Sequence, residues 1–273
     1  RLLKSVSWAT RCMHEMQCHD SNCFITLTYD DEHLPKDQSL DKSHFQKFLK
    51  RLRRLLEKKY GSKPISYFMC GEYGDQNWRP HYHAIIFGYD FPDKVRVQGQ
   101  EVLNPYFISP ELSGLWPFGY HIIAEANFDT AAYVARYCTK KVTGEKAEAH
   151  YNRIITDWNE VTGEITYMEE VNLLPEYAAM SRNPAIGKNW FKKYSKDCYP
   201  SDFLIVDGRK VPIPKYYDKQ LEESQERDYE IMEIKAARKI KAILNAEENQ
   251  LVKLRVREEC KKAQLKSLQR NKV

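Results

Sequence analysis

The sequence predicts an α+β fold in which an antiparallel sheet of about five strands carries helices mainly on one face. The first observation is that short runs rich in β-branched and aromatic residues alternate with segments whose apolar residues recur at helical spacing. The second is that two of these runs are joined by a short, turn-like connection, as in a β-hairpin. The third is a long, charged C-terminal region without glycine or proline, which predicts a helical extension.

The composition predicts a folded domain with an extension and argues against a membrane or secreted protein. The chain has 273 residues, of which 42% are hydrophobic, and its net charge is +5. No apolar run is long enough to span a bilayer, and no signal peptide is visible. The seven cysteines contain no Cys-x-x-Cys pair, which indicates a reducing compartment. The first residue is Arg1, so we expect the start of the natural chain to be missing.

Residues 2–17 predict a first helix with one apolar side. Four potential metal ligands lie near its end, namely Cys12, His14, Cys18 and His19. Their spacing matches no common zinc module, so buried thiols near a helix end are the favoured interpretation.

Residues 23–29 (CFITLTY) predict the first strand because β-branched and aromatic residues predominate. Thr26 and Thr28 share one face, which suits either a floor beneath a polar substrate or plain sheet packing. Residues 41–60 predict the clearest helix, with apolar residues on one side and many Lys and Arg residues on the other. Such a basic face is usually a solvated surface, and it is also a candidate for phosphate contacts.

Residues 71–87 (GEYGDQNWRPHYHAIIF) predict the end of one strand, a turn and a second strand that carries a metal site. Alternation along a strand places His81 and His83 on the same face. Glu72 lies across the short turn from the histidines, with Asp75 as an alternative third ligand. Two histidines and one carboxylate form a set that leaves room for water and a substrate oxygen. The alternative is a pair of ordinary strand histidines.

Two further elements follow a proline-rich insertion at residues 89–118. Residues 119–126 predict a strand, and residues 130–141 (TAAYVARYCTKK) predict a helix capped by the polar residues before it. Tyr133 and Tyr137 stand one turn apart on the same face of this helix. Taken alone, the pair fits equally well a helix that buries two tyrosines in the core.

The order of these motifs is specific. FITLTY is followed by HYH and then by YVARY with two lysines after it. This arrangement resembles the HUH endonucleases that initiate rolling-circle DNA replication. More narrowly, it resembles the replication initiators of small single-stranded DNA phages of the microvirus group, especially the gokushovirus branch, in which the tyrosines are paired four residues apart. The resemblance covers residues 21–141 by motif and continues more loosely through residues 180–219.

The resemblance implies an HUH endonuclease-like core in which His81, His83 and Glu72 hold Mg2+ or Mn2+. It implies site-specific nicking of single-stranded phage origin DNA by a tyrosine, which leaves a 5′-phosphotyrosine and a free 3′-hydroxyl. A second tyrosine then allows a second cleavage and the rejoining of DNA.

The same resemblance assigns Tyr133 and Tyr137 as nucleophiles. Tyrosine has a pKa near ~10 in water, so a cation is expected to ease proton loss, and Lys140 is preferred for this role. Host DNA polymerase would extend the 3′-hydroxyl. A host helicase is expected because the chain has no GxxxxGK[ST] phosphate loop. No membrane partner is expected, and the implied location is the cytoplasm of the bacterial host cell.

The later part of the chain carries further candidate DNA contacts. Residues 180–200 interleave basic and aromatic side chains, as is typical of single-stranded DNA binding, with a helix packed on the core as the alternative. Residues 203–211 predict a hairpin, and residues 221–268 predict an exposed helical arm or a partner-binding helix. Across the chain, the candidate DNA contacts are Arg51, Arg54, Arg79, Arg136, Lys141, Lys188 and Trp190.

Four segments are therefore expected: an N-terminal helix (1–20), a nuclease core (21–145), a part with candidate DNA contacts (146–218) and a charged helical extension (219–273). Two other functions stay open. One is a two-tyrosine transposase or relaxase, and the other is a non-catalytic DNA-binding protein with a structural metal. A covalent, phosphatase-resistant protein–DNA band with Mn2+ would separate a nuclease from the non-catalytic protein.

Overall fold

The computed structural model has the predicted α+β architecture and describes most of the chain, namely residues 2–74, 77–98, 105–137, 141–158, 162–206, 208–224 and 227–267. None of the described helices is long and apolar enough to cross a bilayer. The helices are α1 (Leu2–Met16), α2 (Lys42–Tyr60), α3 (Pro110–Leu115), α4 (Phe128–Tyr137), α5 (Lys146–Tyr151), α6 (Lys188–Cys198), α7 (Lys215–Glu223), α8 (Asp228–Leu244) and α9 (Leu251–Ser267).

The main sheet is antiparallel and has seven described strands in the order β4-β5-β6-β1-β3-β2-β9. The predicted FITLTY and HYH strands are β1 and β3, and they are neighbours near the centre of the sheet, as expected. The strands are β1 (Asn22–Tyr29), β2 (Ser66–Tyr73), β3 (Pro80–Phe87), β4 (Val95–Arg96), β5 (Phe107–Ile108), β6 (Gly119–Glu125), β7 (Asn152–Trp158), β8 (Ile165–Asn172), β9 (Tyr177–Met180), β10 (Leu204–Val206) and β11 (Arg209–Val211).

Two strands more than expected extend the sheet at its edges. The insertion supplies the two-residue strands β4 and β5, and β9 pairs with β2 although its alanine-rich sequence carries no strand signal. Beside the main sheet, β7 and β8 form a separate hairpin within a polar stretch for which no strands were expected. The predicted hairpin at residues 203–211 is confirmed as β10 and β11.

Helices cover both faces of the sheet, so the expectation of helices mainly on one face is wrong. One face carries Ile25 and Leu27 and packs against the apolar side of α2. The other face carries Phe24, Phe68 and Ile85 and packs against α1 and α4. The central strands are apolar on both faces, which a sheet between two helical layers requires. Each large side chain buried in these layers contributes roughly 1.5–3 kcal/mol.

A third core joins α6, α7 and the start of α8. Ile231 and Ile234 of α8 are buried there, so the predicted arm begins as a packed element. Arg238 holds this end of the helix by donating hydrogen bonds to Asp202 and Asp218. Beyond it, a 3-10 turn separates α8 from α9, and the predicted helical region is therefore not one continuous helix. The exposed apolar residues of this outer part include Ile240, Ile243, Leu244, Leu251 and Val252.

Gly119 at the start of β6 fits against the end of β1. Its φ is +139°, and a Cβ there would lie 2.2 Å from the backbone nitrogen of Asp30. We expect Gly119→Ala to lower the free energy of unfolding by about 1–3 kcal/mol, because the backbone must move apart at this contact. Urea titration would measure the change.

Gly114 in α3 provides the matched control, since an added Cβ meets no described atom within 4 Å. Gly114→Ala should leave stability unchanged or raise it by about 0.5–1 kcal/mol, as alanine is favoured inside a helix. Equal midpoints for the two variants would contradict the close approach at Gly119.

Candidate active site

Three side chains from β2 and β3 converge on one point of the α4 face of the sheet. The strand register places Glu72 directly opposite His81, with His83 on the same face of β3. The Nε2 atom of each histidine lies 3.0 Å from Oε1 of Glu72. One candidate ligand atom from each residue lies within 4.8 Å of the others, and no other such group of three occurs among the described residues. The sequence prediction of a converging trio is thus confirmed in its geometry.

The cluster is buried on one side and partly open on the other. Glu72 and His83 are 2% and 1% exposed, whereas the side chain of His81 is 17% exposed. Burial raises the pKa of the Glu72 carboxyl, but hydrogen bonds from His81 and His83 outweigh this effect and lower the pKa to about 2. Glu72 is therefore an anion at neutral pH.

Contacts outside the trio orient the two imidazoles. Nδ1 of His81 lies 3.1 Å from the Arg79 carbonyl oxygen, which can only accept, so Nδ1 carries the proton. Nδ1 of His83 lies 2.9 Å from the hydroxyl of Thr26. A proton on each Nδ1 leaves the Nε2 lone pair available to a ligand, as is usual for metal-binding histidines. Two imidazole nitrogens and one carboxylate oxygen arranged in this way fit a divalent cation.

Thr26 was a residue whose role the sequence left open between a substrate floor and sheet packing. The structure buries it and places its hydroxyl on His83. The carbonyl of Arg79 was missed altogether, because a backbone contact leaves no residue-type signal in the sequence.

Helix α4 brings the first tyrosine to the cluster. The ring centroid of Tyr133 lies 5.1 Å from that of His83, and the rings are nearly perpendicular. The start of the helix is fixed by a reciprocal cap, in which the Asn127 side chain accepts from the backbone of Thr130 and the Thr130 hydroxyl accepts from the backbone of Asn127. Ala131, like the other small buried residues of α4, lets the helix lie close to the sheet.

Tyr137 is the last residue of α4, one turn after Tyr133. Its position on the helix is described by the backbone. Lys140 and Asp75, two further candidates from the sequence, lie outside the described residues. Lys141 is exposed and lies outside the helix, which was expected to extend to it.

Some candidate DNA contacts lie far from the cluster. Arg51 and Arg54 belong to α2, which covers the opposite face of the sheet. Arg54 is exposed, but Arg51 donates a hydrogen bond to the Leu115 carbonyl oxygen at 2.6 Å. Trp190 is only 6% exposed and stacks on His14 with a centroid distance of 3.4 Å. Core packing was the alternative that the sequence left open for the helix of Trp190.

Other candidates lie nearer to the cluster or on the surface. Arg79 immediately precedes β3, donates to the Tyr29 carbonyl oxygen and pairs with Asp31. Arg136 is exposed on α4, beside Tyr137 in sequence, and Lys188 is half-buried at the start of α6.

The cysteines and histidines of the first helix do not form a described metal group. His14 is instead a core residue whose Nδ1 lies 2.8 Å from the Tyr217 hydroxyl. Burial lowers the pKa of His14 to about 3, so the ring is neutral at physiological pH. Cys12 is fully buried, as the favoured interpretation expected.

Comparison with known proteins gives a consistent result. The family model for the replication-associated protein ORF2 matches residues 22–142, the span that runs from β1 to just beyond α4 and contains the trio and both tyrosines. Replication-associated protein VP4 of Bdellovibrio phage phiMH2K is 34% identical over 213 residues, which are 77% of this chain and 60% of the relative. No solved structure matches.

Two further relatives carry similar names. Replication-associated protein ORF2 of Spiroplasma virus 4 is 28% identical over 247 residues, or 87% of this chain and 70% of that protein. Replication-associated protein ORF4 of Chlamydia phage 1 is 29% identical over 224 residues, or 78% of this chain and 49% of that protein. The chain thus spans between about half and 70% of the lengths of these relatives.

Proposed function

The chain belongs to the family of phage replication-associated proteins, and from this membership we propose that it initiates rolling-circle replication by nicking single-stranded origin DNA. The observation that carries the proposal is the convergence of Glu72, His81 and His83 beside Tyr133. A cation site that can receive a phosphate, and a nucleophile held next to it on a rigid helix, are the parts that such a reaction needs.

The trio would hold Mg2+ or Mn2+. A divalent cation there would neutralise charge on a bound phosphate and polarise its phosphorus. The chain itself supplies the rigidity. The Arg79 carbonyl oxygen and the Thr26 hydroxyl hold the two imidazoles in one orientation, and burial keeps the Glu72 carboxylate in place.

The covalent step uses a tyrosine of α4. The phenolic oxygen of Tyr133 or Tyr137 attacks phosphorus, so a Tyr–O–P bond forms while the bond from phosphorus to the 3′ oxygen breaks. The phenol gives up its proton, and the departing 3′ oxygen takes one up to become a hydroxyl. Because a phenol has a pKa near ~10, a nearby ammonium group favours its ionisation, and Lys140 is our choice for that role.

The two tyrosines would act in turn. The phosphodiester energy is kept in the Tyr–O–P bond, so rejoining needs no ATP, and the second tyrosine cleaves when the replication fork returns. The free 3′-hydroxyl would be extended by a host DNA polymerase behind a host helicase in the bacterial cytoplasm. The names of the relatives favour this replication role over a two-tyrosine transposase or relaxase.

End-labelled DNA tests the proposed polarity. With Mn2+ and a pool of random-sequence single-stranded oligonucleotides, a 3′-end label should become covalently attached to the protein, and a 5′-end label should appear on a shorter fragment that a polymerase can extend. EDTA should prevent both products. Attachment of the 5′-end label, or shortened DNA without any attached protein, would contradict the proposal, and DNA binding without cleavage would favour the non-catalytic alternative.

A further inference from the structure

One row of side chains crosses four neighbouring strands of the sheet in direct register. Tyr120 of β6 pairs with Thr28 of β1, Thr28 pairs with His81 of β3, and His81 pairs with Glu72 of β2. Directly paired residues of antiparallel strands share a face. Tyr120 therefore lies on the same face as the trio, two strands away from His81, which corresponds to about 10 Å.

This side of the face is open. Tyr120 is 68% exposed, although α4 covers the central strands on the same face. The next row contains Ile122, which is half-buried and pairs with Thr26. A single exposed aromatic residue needs no explanation, but exposed apolar side chains that adjoin one another commonly mark a site of interaction.

The open area continues to the edge of the sheet. Phe107 pairs with Ile123 and packs in the α2 layer, so its neighbour Ile108 points to the opposite face, the one that carries Tyr120. Ile108 pairs with Val95 of β4, and these two side chains are 47% and 61% exposed. The residues Thr28, Tyr120, Ile122, Ile108 and Val95 thus form an uncharged surface, which we call the β6 strip.

We propose that the β6 strip binds unpaired bases of the DNA strand whose phosphate lies at the trio, with Tyr120 as the stacking residue. This inference rests on the proposed function for the identity of the ligand. A base next to a phosphate at His81 would lie over Thr28 and Tyr120, because these residues follow His81 directly in the row. The strip has no charge, which suits the flat, apolar faces of bases rather than phosphates, and every base can stack on a tyrosine ring.

Equilibrium binding of a fluorescein-labelled oligodeoxythymidylate in EDTA tests the strip without any cleavage. Tyr120→Ala should weaken binding about 5- to 100-fold, the usual range for loss of one base–aromatic stack. Tyr120→Phe keeps the ring and should bind within about twofold of the parent. Tyr229→Ala is the matched control, since Tyr229 is 65% exposed but lies on α8, and it should bind like the parent.

The outcomes separate the strip from the proposed function. Parent-like binding by Tyr120→Ala would overturn the strip even if the parent forms the covalent adduct. A change of oligomeric mass in Tyr120→Ala, with unchanged DNA affinity, would make the strip a contact between two copies and would also overturn it. If the parent binds the oligonucleotide but forms no adduct with any divalent cation, the nicking function fails while the binding data still decide the role of Tyr120.

Discussion

Replacing both Tyr133 and Tyr137 with phenylalanine is expected to abolish the covalent protein–DNA adduct while leaving DNA affinity at the level of the parent. Phenylalanine removes only the hydroxyl, so the ring contacts of Tyr133 with His83 and Phe24 are kept. Without a phenolic oxygen on either residue, the proposed Tyr–O–P bond cannot form. The measurement is adduct yield on denaturing gels with Mn2+, alongside binding of the same oligonucleotide in EDTA.

Each single variant should behave differently from the double variant. The two residues are four apart on one helix, a rise of ~6 Å, so either hydroxyl is expected to reach one bound phosphate. Tyr133→Phe and Tyr137→Phe should therefore each form some adduct on a short oligonucleotide. Each should fail to release closed circles, because termination needs a free tyrosine while the other holds DNA. Tyr229→Phe, which alters an exposed tyrosine on α8, should have no effect on either step.

Loss of a histidine from the trio is expected to have the second large effect. His81→Ala should weaken Mn2+ binding in calorimetry by more than about 100-fold, since loss of an outer contact alone typically costs 10–100-fold. Nicking should fall below detection, while the fold is retained because His81 is partly open to solvent. His83→Ala should have the same effect on metal binding and a larger cost in stability, since His83 is buried.

A matched control exists elsewhere in the chain. His19 pairs with the buried Glu15 at 3.2 Å and is 24% exposed, which closely resembles the pair of His81 and Glu72. His19→Ala should leave Mn2+ affinity and nicking unchanged. Equal losses in His19→Ala and His81→Ala would show that both substitutions act through stability and would remove the metal assignment.

The third ligand has its own comparison. Glu72→Gln should weaken Mn2+ binding more than Asp75→Asn does, because Oε1 of Glu72 already lies 3.0 Å from both imidazoles. The reverse order would move the third ligand to Asp75.

The sequence was sufficient for the trio because both of its signals are local. Strand alternation places His81 and His83 on one face, and a short turn brings Glu72 across from them. The α2 helix and the cap at Asn127 were predictable for the same reason, since apolar period and capping residues lie within a few positions.

Features that depend on distant partners were not predictable. Helices on both faces follow from the way α1 and α4 pack together, which no local pattern encodes. The open position of Tyr120 depends on pairing between β6 and β1, about ninety residues apart in the chain. Trp190 is buried because α1 supplies His14 beneath it, so an interleaved basic and aromatic pattern proved to contain a core residue.

Mapping the point of DNA attachment in the parent protein tests the central claim most directly. The adduct formed with Mn2+ would be digested with protease and nuclease, and the modified peptide would be identified by mass spectrometry. The proposed chemistry predicts a nucleotide joined through its 5′-phosphate to Tyr133 or Tyr137, within the α4 peptide. Attachment to any other residue, or through a 3′-phosphate, would contradict it.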